Sequence, residues 1–189
     1  MKQKILNLFC FLLSSACFFI LLQIVLIKAN ANSFSDSTFR VKSHLIFDKK
    51  IIGKAQVLDG DSIKIGRKEI RLFGIDAPEY KQKCLDKNNQ EYSCGLISRD
   101  FLFKLANQKS VECFYAQKDK YDRFLSKCFV EEQSINEEMI KNGMAVIYNF
   151  TESSSKMDKL ETEAKNNKIG IWQGSFELPK DYRKNNPRI

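Results

Sequence analysis

The stretch that decides the fold is KAQVLDGDSIKIGRKEIRLF, residues 54–73. Residues 54–58 read as a strand that ends at the turn Asp59-Gly60. Residues 62–65, Ser-Ile-Lys-Ile, alternate polar and apolar, as a half-buried strand does. Gly66-Arg67 makes a tight turn, and residues 69–73 return as the second arm of a hairpin. Beyond it, residues 74–93 form a long polar connection containing Pro78 and Cys84, with Cys94 at its end. Connections of this length inside a small domain are usually functional or stapled.

Further along, residues 94–107 carry a helical stripe of Ile97, Phe101 and Leu105, with Leu102 and Ala106 beside it. Residues 110–115 and 124–130 are two more strands around the polar turn 119–123. Ser134-Ile135-Asn136-Glu137 is a capping box that opens a short helix ended by Gly143. Residues 145–148 form a brief extended stretch, and Met157, Leu160 and Ala164 share a face of a third helix that stops near Gly170. The tail from residue 175 is polar and reads as loosely held. Five short strands and three helices predict an α+β domain, a small antiparallel barrel with helices packed against it.

The chain has 189 residues, 43% hydrophobic and 29% charged, enough for one domain with a core plus extras. Its one histidine, His44, excludes a Ser-His-Asp triad with a spare base, an HExxH zinc site and a paired-His nuclease. Neither GxxxxGK[ST] nor GxGxxG occurs, which removes most support for nucleotide-cofactor folds. Any catalysis here has to rest on carboxylates, Arg and Lys, with a metal that prefers oxygen ligands.

The N-terminus has the polarity of an export segment. Lys2 and Lys4 precede an uncharged apolar run, residues 5–27, and Lys28 is followed by Ala29-Asn30-Ala31, which resembles a cleavage site. The run is also long enough to span a bilayer. Residues 1–31 are therefore expected to be a cleaved signal peptide or a retained membrane anchor. Either way the rest of the chain lies outside the cytoplasm, periplasmic, secreted or tethered to the membrane. Residues 32–50 read as a linker, 51–174 as the folded domain and 175–189 as a C-terminal tail. Without Lys2, Lys4 and Lys28 the 31 basic residues become 28 against 23 acidic, or +5. That charge serves solubility and, beside a phosphate site, nucleic-acid binding.

Two of the six cysteines, Cys10 and Cys17, lie in the apolar segment. The other four, Cys84, Cys94, Cys113 and Cys128, are an even set in an exported domain and predict two disulfides. Pairing the strands about the 119–123 turn sets Cys113 opposite Cys128, within disulfide reach. Cys84 and Cys94 then remain to close the 80s loop. Zinc is disfavoured because no pair has C-x₂₋₄-C spacing.

Three clusters carry chemistry. Asp59-Gly60-Asp61-Ser62 offers two carboxylates around a turn to a hard cation; alone it is an ordinary Asx turn. It is not an EF-hand, because the twelfth position counted from Asp59 is Ile70. The run RLFGIDAPE, residues 71–79, sends an Arg out of a strand and follows it with Asp76 and Glu79. Arg has a donor fork matched to phosphate, Asp suits Ca²⁺ or Mg²⁺, and a Glu beside them activates water. Asp119-Lys120-Tyr121-Asp122-Arg123 adds cations and an aromatic ring on one turn, suited to gripping a phosphate and stacking a base; alone it is a solvated hairpin tip.

Together these clusters resemble the thermonuclease family, of which staphylococcal nuclease is the best-known member. The resemblance covers about residues 51–173 and rests on VLDGDSIKI, IRLFGIDAPE and DKYDR, followed by the NGMA and IGIW segments. It implies a five-stranded OB-fold barrel with three α-helices, here preceded by the N-terminal hydrophobic helix. It also implies Ca²⁺-dependent hydrolysis of DNA and RNA that leaves 3′-phosphate ends. By this resemblance Asp61, Asp76 and the Ala77 carbonyl hold the metal, with Asp59 close by. Glu79 orients or deprotonates the attacking water, and Arg71 and Arg123 hold the phosphate. Lys120, Tyr121 and Tyr148 contact the nucleotide. Two positions depart from the family pattern: Ser62 for a common Thr, and Asp122 where Gly is common, which predicts weaker phosphate binding or a shifted turn. The cysteine-bearing 84–94 loop looks like that of exported bacterial relatives. The alternatives are a non-catalytic OB module that binds single strands and a membrane-tethered interaction protein; the Asp/Glu/Arg set argues against both. No oligomer signal and no protein partner are legible, so a monomer is expected.

Overall fold

The computed structural model describes residues 45–148 and 155–187. The apolar N-terminal run and its expected signal or anchor role lie outside those residues. Among the described residues no helix is long and apolar enough to cross a membrane.

Strand β1 (Lys49–Asp59) begins inside the stretch read as a linker and pairs antiparallel with β2 (Ser62–Ile65), which pairs with β3 (Lys68–Leu72). On its other edge β1 pairs with β7 (Ser110–Lys118), and β7 pairs with β8 (Phe124–Val130). Parallel pairing of β3 with β8, through Ile70↔Phe124, Arg71↔Leu125 and Leu72↔Ser126, closes the five strands into a barrel. One pairing is thus parallel where the sequence predicts an all-antiparallel barrel. Closure removes the open edges that would otherwise template aggregation. Alternation along each strand sends Ile51, Ala55, Val57, Ile63, Ile70, Leu72 and Val111 into a common core.

Helix α1 (Cys94–Ala106) packs on β1, and α2 (Ile135–Lys141) packs on β8 and against α3 (Ser155–Asn166). The Ser134 side chain accepts the Glu137 N–H at 3.3 Å, so the capping box starts α2 as expected. In α1 the buried row is Cys94, Ser98, Leu102 and Ala106, whereas Ile97 is 47% exposed. Of the stripe read from Ile97, Phe101 and Leu105, the last two pack against the core and only Ile97 is corrected. On the buried row Cys94 is tied into a disulfide and the Ser98 hydroxyl donates to the Met144 carbonyl at 2.6 Å.

Both disulfides form as expected, Cys84–Cys94 and Cys113–Cys128, the latter between directly paired positions of β7 and β8 with Cα atoms 4.1 Å apart. Disulfides of this kind belong to an oxidising compartment. Short strands β5 (Cys84–Leu85) and β6 (Glu91–Tyr92) make a hairpin inside the 74–93 connection. Gly143 and Gly170 touch backbone to backbone: a Cβ on either lies within 2.3 Å of a carbonyl oxygen of the facing segment.

The polar tail also departs from expectation. Residues 170–173 form a turn of 3₁₀ helix, and a fourth α-helix, α4 (Pro179–Asn185), follows. The Leu85 N–H donates to the Ser175 carbonyl at 2.8 Å, and Pro179 is buried at the first helical position.

Candidate active site

The β2–β3 register sets Ser62 opposite Arg71, and the Leu72 N–H donates to the Asp61 carbonyl at 2.9 Å. Asp61, one step before β2, is thereby held beside Arg71. It is 2% exposed, and a carboxylate so buried needs partners. Arg71 Nη1 bonds its Oδ1, the Ser62 hydroxyl donates to Oδ1 at 3.1 Å, and the Ala77 N–H donates to Oδ2 at 2.9 Å.

After Leu72 the chain turns, and β4 (Ile75–Asp76) pairs with β10 (Val146–Ile147), with Asp76 opposite Val146. Asp76 is 1% exposed and its Oδ1 accepts Arg71 Nη2 at 2.6 Å. One guanidinium therefore bridges two buried carboxylates. The Tyr148 N–H donates to the Gly74 carbonyl at 2.9 Å, which sets Tyr148 at the end of this small sheet.

Glu79 follows within three residues. Its N–H donates to Gln82 Oε1 at 3.1 Å, and fully buried Gln82 donates from Nε2 to the Glu177 carbonyl at 2.6 Å. The Glu79 carbonyl presses on Gly95, where a Cβ would sit 1.8 Å from the oxygen, so only glycine lets α1 start there.

A second cation completes the cluster. Arg183 of α4 donates from Nη1 to Asp76 Oδ1 at 2.8 Å and to Glu79 Oε1 at 2.9 Å, and from Nη2 to Asp76 Oδ2 at 2.9 Å. Sequence reasoning missed both Arg183 and Gln82. Pro179 followed by Lys-Asp-Tyr-Arg-Lys is a legible helix start, but nothing local shows where its arginine points.

The acids strain one another. Burial, and then the Asp61 charge, push the Asp59 carboxyl up from 3.8 to about 6. Burial pushes Asp61 up as well, while Arg71 pulls it back. Burial alone would lower the Arg71 guanidinium, but the charges of Asp61 and Asp76 outweigh it and hold Arg71 protonated.

The turn between β7 and β8 is organised by Asp119. Its Oδ1 accepts the Tyr121 and Arg123 N–H groups at 2.9 and 3.0 Å, and its Oδ2 takes Arg123 Nε at 2.8 Å and Nη2 at 2.7 Å. Burial works against the charged form, yet the Arg123 bonds hold the Asp119 carboxyl below its ordinary value. The Lys120 ammonium and the Arg123 guanidinium lie 5.0 and 5.4 Å from the Tyr121 ring, which is 67% exposed. Neither Asp61 nor Asp76 bonds to Arg123. However, Arg71 pairs with Leu125, two residues after Arg123, so the turn that carries Arg123 lies beside β3.

Among the described residues no three His, Cys, Asp or Glu side chains make a ready metal cage. The donor chemistry nevertheless suits a hard cation. Asp61 and Asp76 are buried oxygen donors side by side on one guanidinium, and the raised Asp59 marks surplus negative charge. Ions of this kind complete their shells with water and phosphate oxygens.

A closed barrel with buried acids around one guanidinium, and a basic aromatic turn beside its closing strand, defines a phosphate-handling α+β enzyme. The family model for staphylococcal nuclease homologues matches residues 69–174. The chain is 36% identical over 129 residues to the succinoglycan biosynthesis protein ExoI of Rhizobium meliloti (strain 1021), covering 67% of each chain. It is 33% identical over 129 residues to an uncharacterized endonuclease of Escherichia coli, 66% of this chain and 78% of that one. A probable staphylococcal-like nuclease, CAN3, of Oryza sativa is 31% identical over 125 residues, 66% of this chain and 30% of the plant protein. The chain belongs to the staphylococcal nuclease family. That membership makes it a phosphodiester hydrolase of the nuclease class, on an OB-fold barrel.

Proposed function

We propose that the chain is a calcium-dependent endonuclease that hydrolyses DNA and RNA outside the cytoplasm, as a monomer. The observation that carries the reading is the convergence of Asp61, Asp76 and Arg71 in one buried cluster, with Glu79 joined to it through Arg183. Asp61, Asp76 and the Ala77 carbonyl would hold the cation, with Asp59 beside them. When bound, Ca²⁺ supplies Lewis-acid polarisation of a phosphate oxygen. Glu79 accepts a proton from the attacking water. Arg71 and Arg123 donate to the remaining phosphate oxygens, where negative charge grows as the pentavalent arrangement forms. The 5′ oxygen leaves and the 3′ side keeps the phosphate.

Lys120 offers a charge to the next phosphate along the strand, and Tyr121 and Tyr148 offer rings to bases. Such stacking is indifferent to base identity, which fits broad use of DNA and RNA. The two disulfides support an exported enzyme, periplasmic, secreted or anchored through residues 5–27.

Plasmid nicking with calcium, and again with excess chelator, tests the reading. Nicking is expected with calcium alone, and it is expected to fall about 10²–10³-fold in Arg123→Ala. Undiminished cleavage in chelator, or by Arg123→Ala, contradicts the assignment.

A further inference from the structure

Arg183 occupies the groups that the cation and the attacking water need. Both oxygens of Asp76 carry its donors, and the same Nη1 reaches Glu79 Oε1. Asp76 Oδ1 also accepts Arg71, so this carboxylate is surrounded by guanidinium N–H groups. A divalent ion ligated by Asp76 and an arginine on both of its oxygens exclude each other by charge and by space.

The segment carrying Arg183 has a pinned base and a short helical tip. Its base is pinned by the Ser175 carbonyl on Leu85 and the Glu177 carbonyl on Gln82. Its tip is α4, seven residues long, and helices so short have little stability of their own. The Arg183 side chain is 35% exposed, so it can leave for water without crossing the core.

We propose that Arg183 is a built-in competitor that sets how tightly the site takes its cation. In the metal-free enzyme it neutralises Asp76 and blocks Glu79; loading of the ion releases it and lifts α4 from the site. This rests on the cation site assigned above to Asp61 and Asp76. A latch closed nine-tenths of the time weakens apparent affinity about tenfold. Its removal therefore tightens calcium binding, although a cation-assisting arginine would do the opposite.

The test is calorimetric titration of calcium chloride into chelator-treated full-length protein, without nucleic acid. Arg183→Ala and Arg183→Gln are expected to bind calcium about tenfold more tightly than the parent. Lys184→Ala, which removes a charge from the same helix away from the acids, is expected to bind as the parent does. Equal or weaker binding by both Arg183 variants, with binding abolished in Asp61→Asn, overturns the latch and leaves the cation site standing. No calcium binding by any protein, or binding unaffected by Asp61→Asn, overturns the site and the latch together. Hydrogen exchange on the parent gives a second readout that needs no Arg183 variant. Calcium is expected to speed exchange in residues 179–185, and protection there overturns the proposal.

Discussion

Asp122 accepts a hydrogen bond from Lys118 Nζ at 2.7 Å across a turn in which Asp122 itself adopts φ +66°. The left-handed backbone explains why glycine suits this place: an L side chain there is strained by about 1 kcal/mol or more. The Lys118 pair is exposed and returns a few tenths at most. Asp122→Gly is therefore expected to raise stability by about 0.5–1 kcal/mol, read by urea unfolding. It also takes a negative charge away from Lys118, Lys120 and Arg123, so KM for single-stranded DNA at low salt is expected to fall about twofold. A less stable glycine variant contradicts the strain argument.

Arg71 separates charge from geometry. Arg71→Lys keeps the positive charge between Asp61 and Asp76 but loses the fork that reaches both. It is expected to fold and to cleave about 10²-fold more slowly in single turnover. Arg71→Ala also leaves two buried acids short of a partner, and removing one member of a buried pair costs about 3–5 kcal/mol. Its thermal midpoint is expected to fall well below that of the Lys variant. Equal midpoints contradict a structural share for this guanidinium.

Asp59 gives the enzyme a pH signature. Its folded pKa of about 6 lies above its ordinary 3.8, so between those values the folded chain binds more protons than the unfolded one. Stability from this group is therefore lost as pH rises from about 4 to 6. A shift of this size corresponds to about 3 kcal/mol, reduced to about 1–2 by partial solvent screening. Asp59→Asn keeps an acceptor for the Gly60 N–H and removes the charge. In metal-free protein the variant is expected to be more stable than the parent at pH 7 and equal to it at pH 4. A gap that does not change with pH contradicts the assignment.

Much of the site was legible because its parts are local. The hairpin of residues 54–73 places Asp61 next to Arg71 through a turn of a few residues, and Cys113 meets Cys128 across one hairpin. What was not legible depends on distant packing. The parallel closure of β3 on β8 joins strands with a helix and four strands between them. The buried face of α1 is decided by a disulfide and by Met144, neither of which appears in helical periodicity. Arg183 meets Asp76 across 107 positions of sequence, and its helix starts in a segment whose polarity reads as solvent-facing.

Gln82 links the catalytic loop to the C-terminal strap, and its removal separates positioning from mere folding. It is fully buried, accepts the Glu79 N–H and donates to the Glu177 carbonyl. Gln82→Met keeps the volume and strands both backbone groups, at about 1–3 kcal/mol for each buried group left unsatisfied. Loss of stability alone would describe any buried amide. On the roles proposed for Glu79 and for the 119–123 turn, the particular expectation is a fall in kcat with KM unchanged, because Gln82 sets the backbone that carries Glu79 and lies outside that turn. Small displacements of a catalytic group cost about 10²-fold, so a loss of one to two orders of magnitude is expected at temperatures where the variant is folded. A variant that is destabilised yet turns over at the parent rate makes Gln82 a structural residue only.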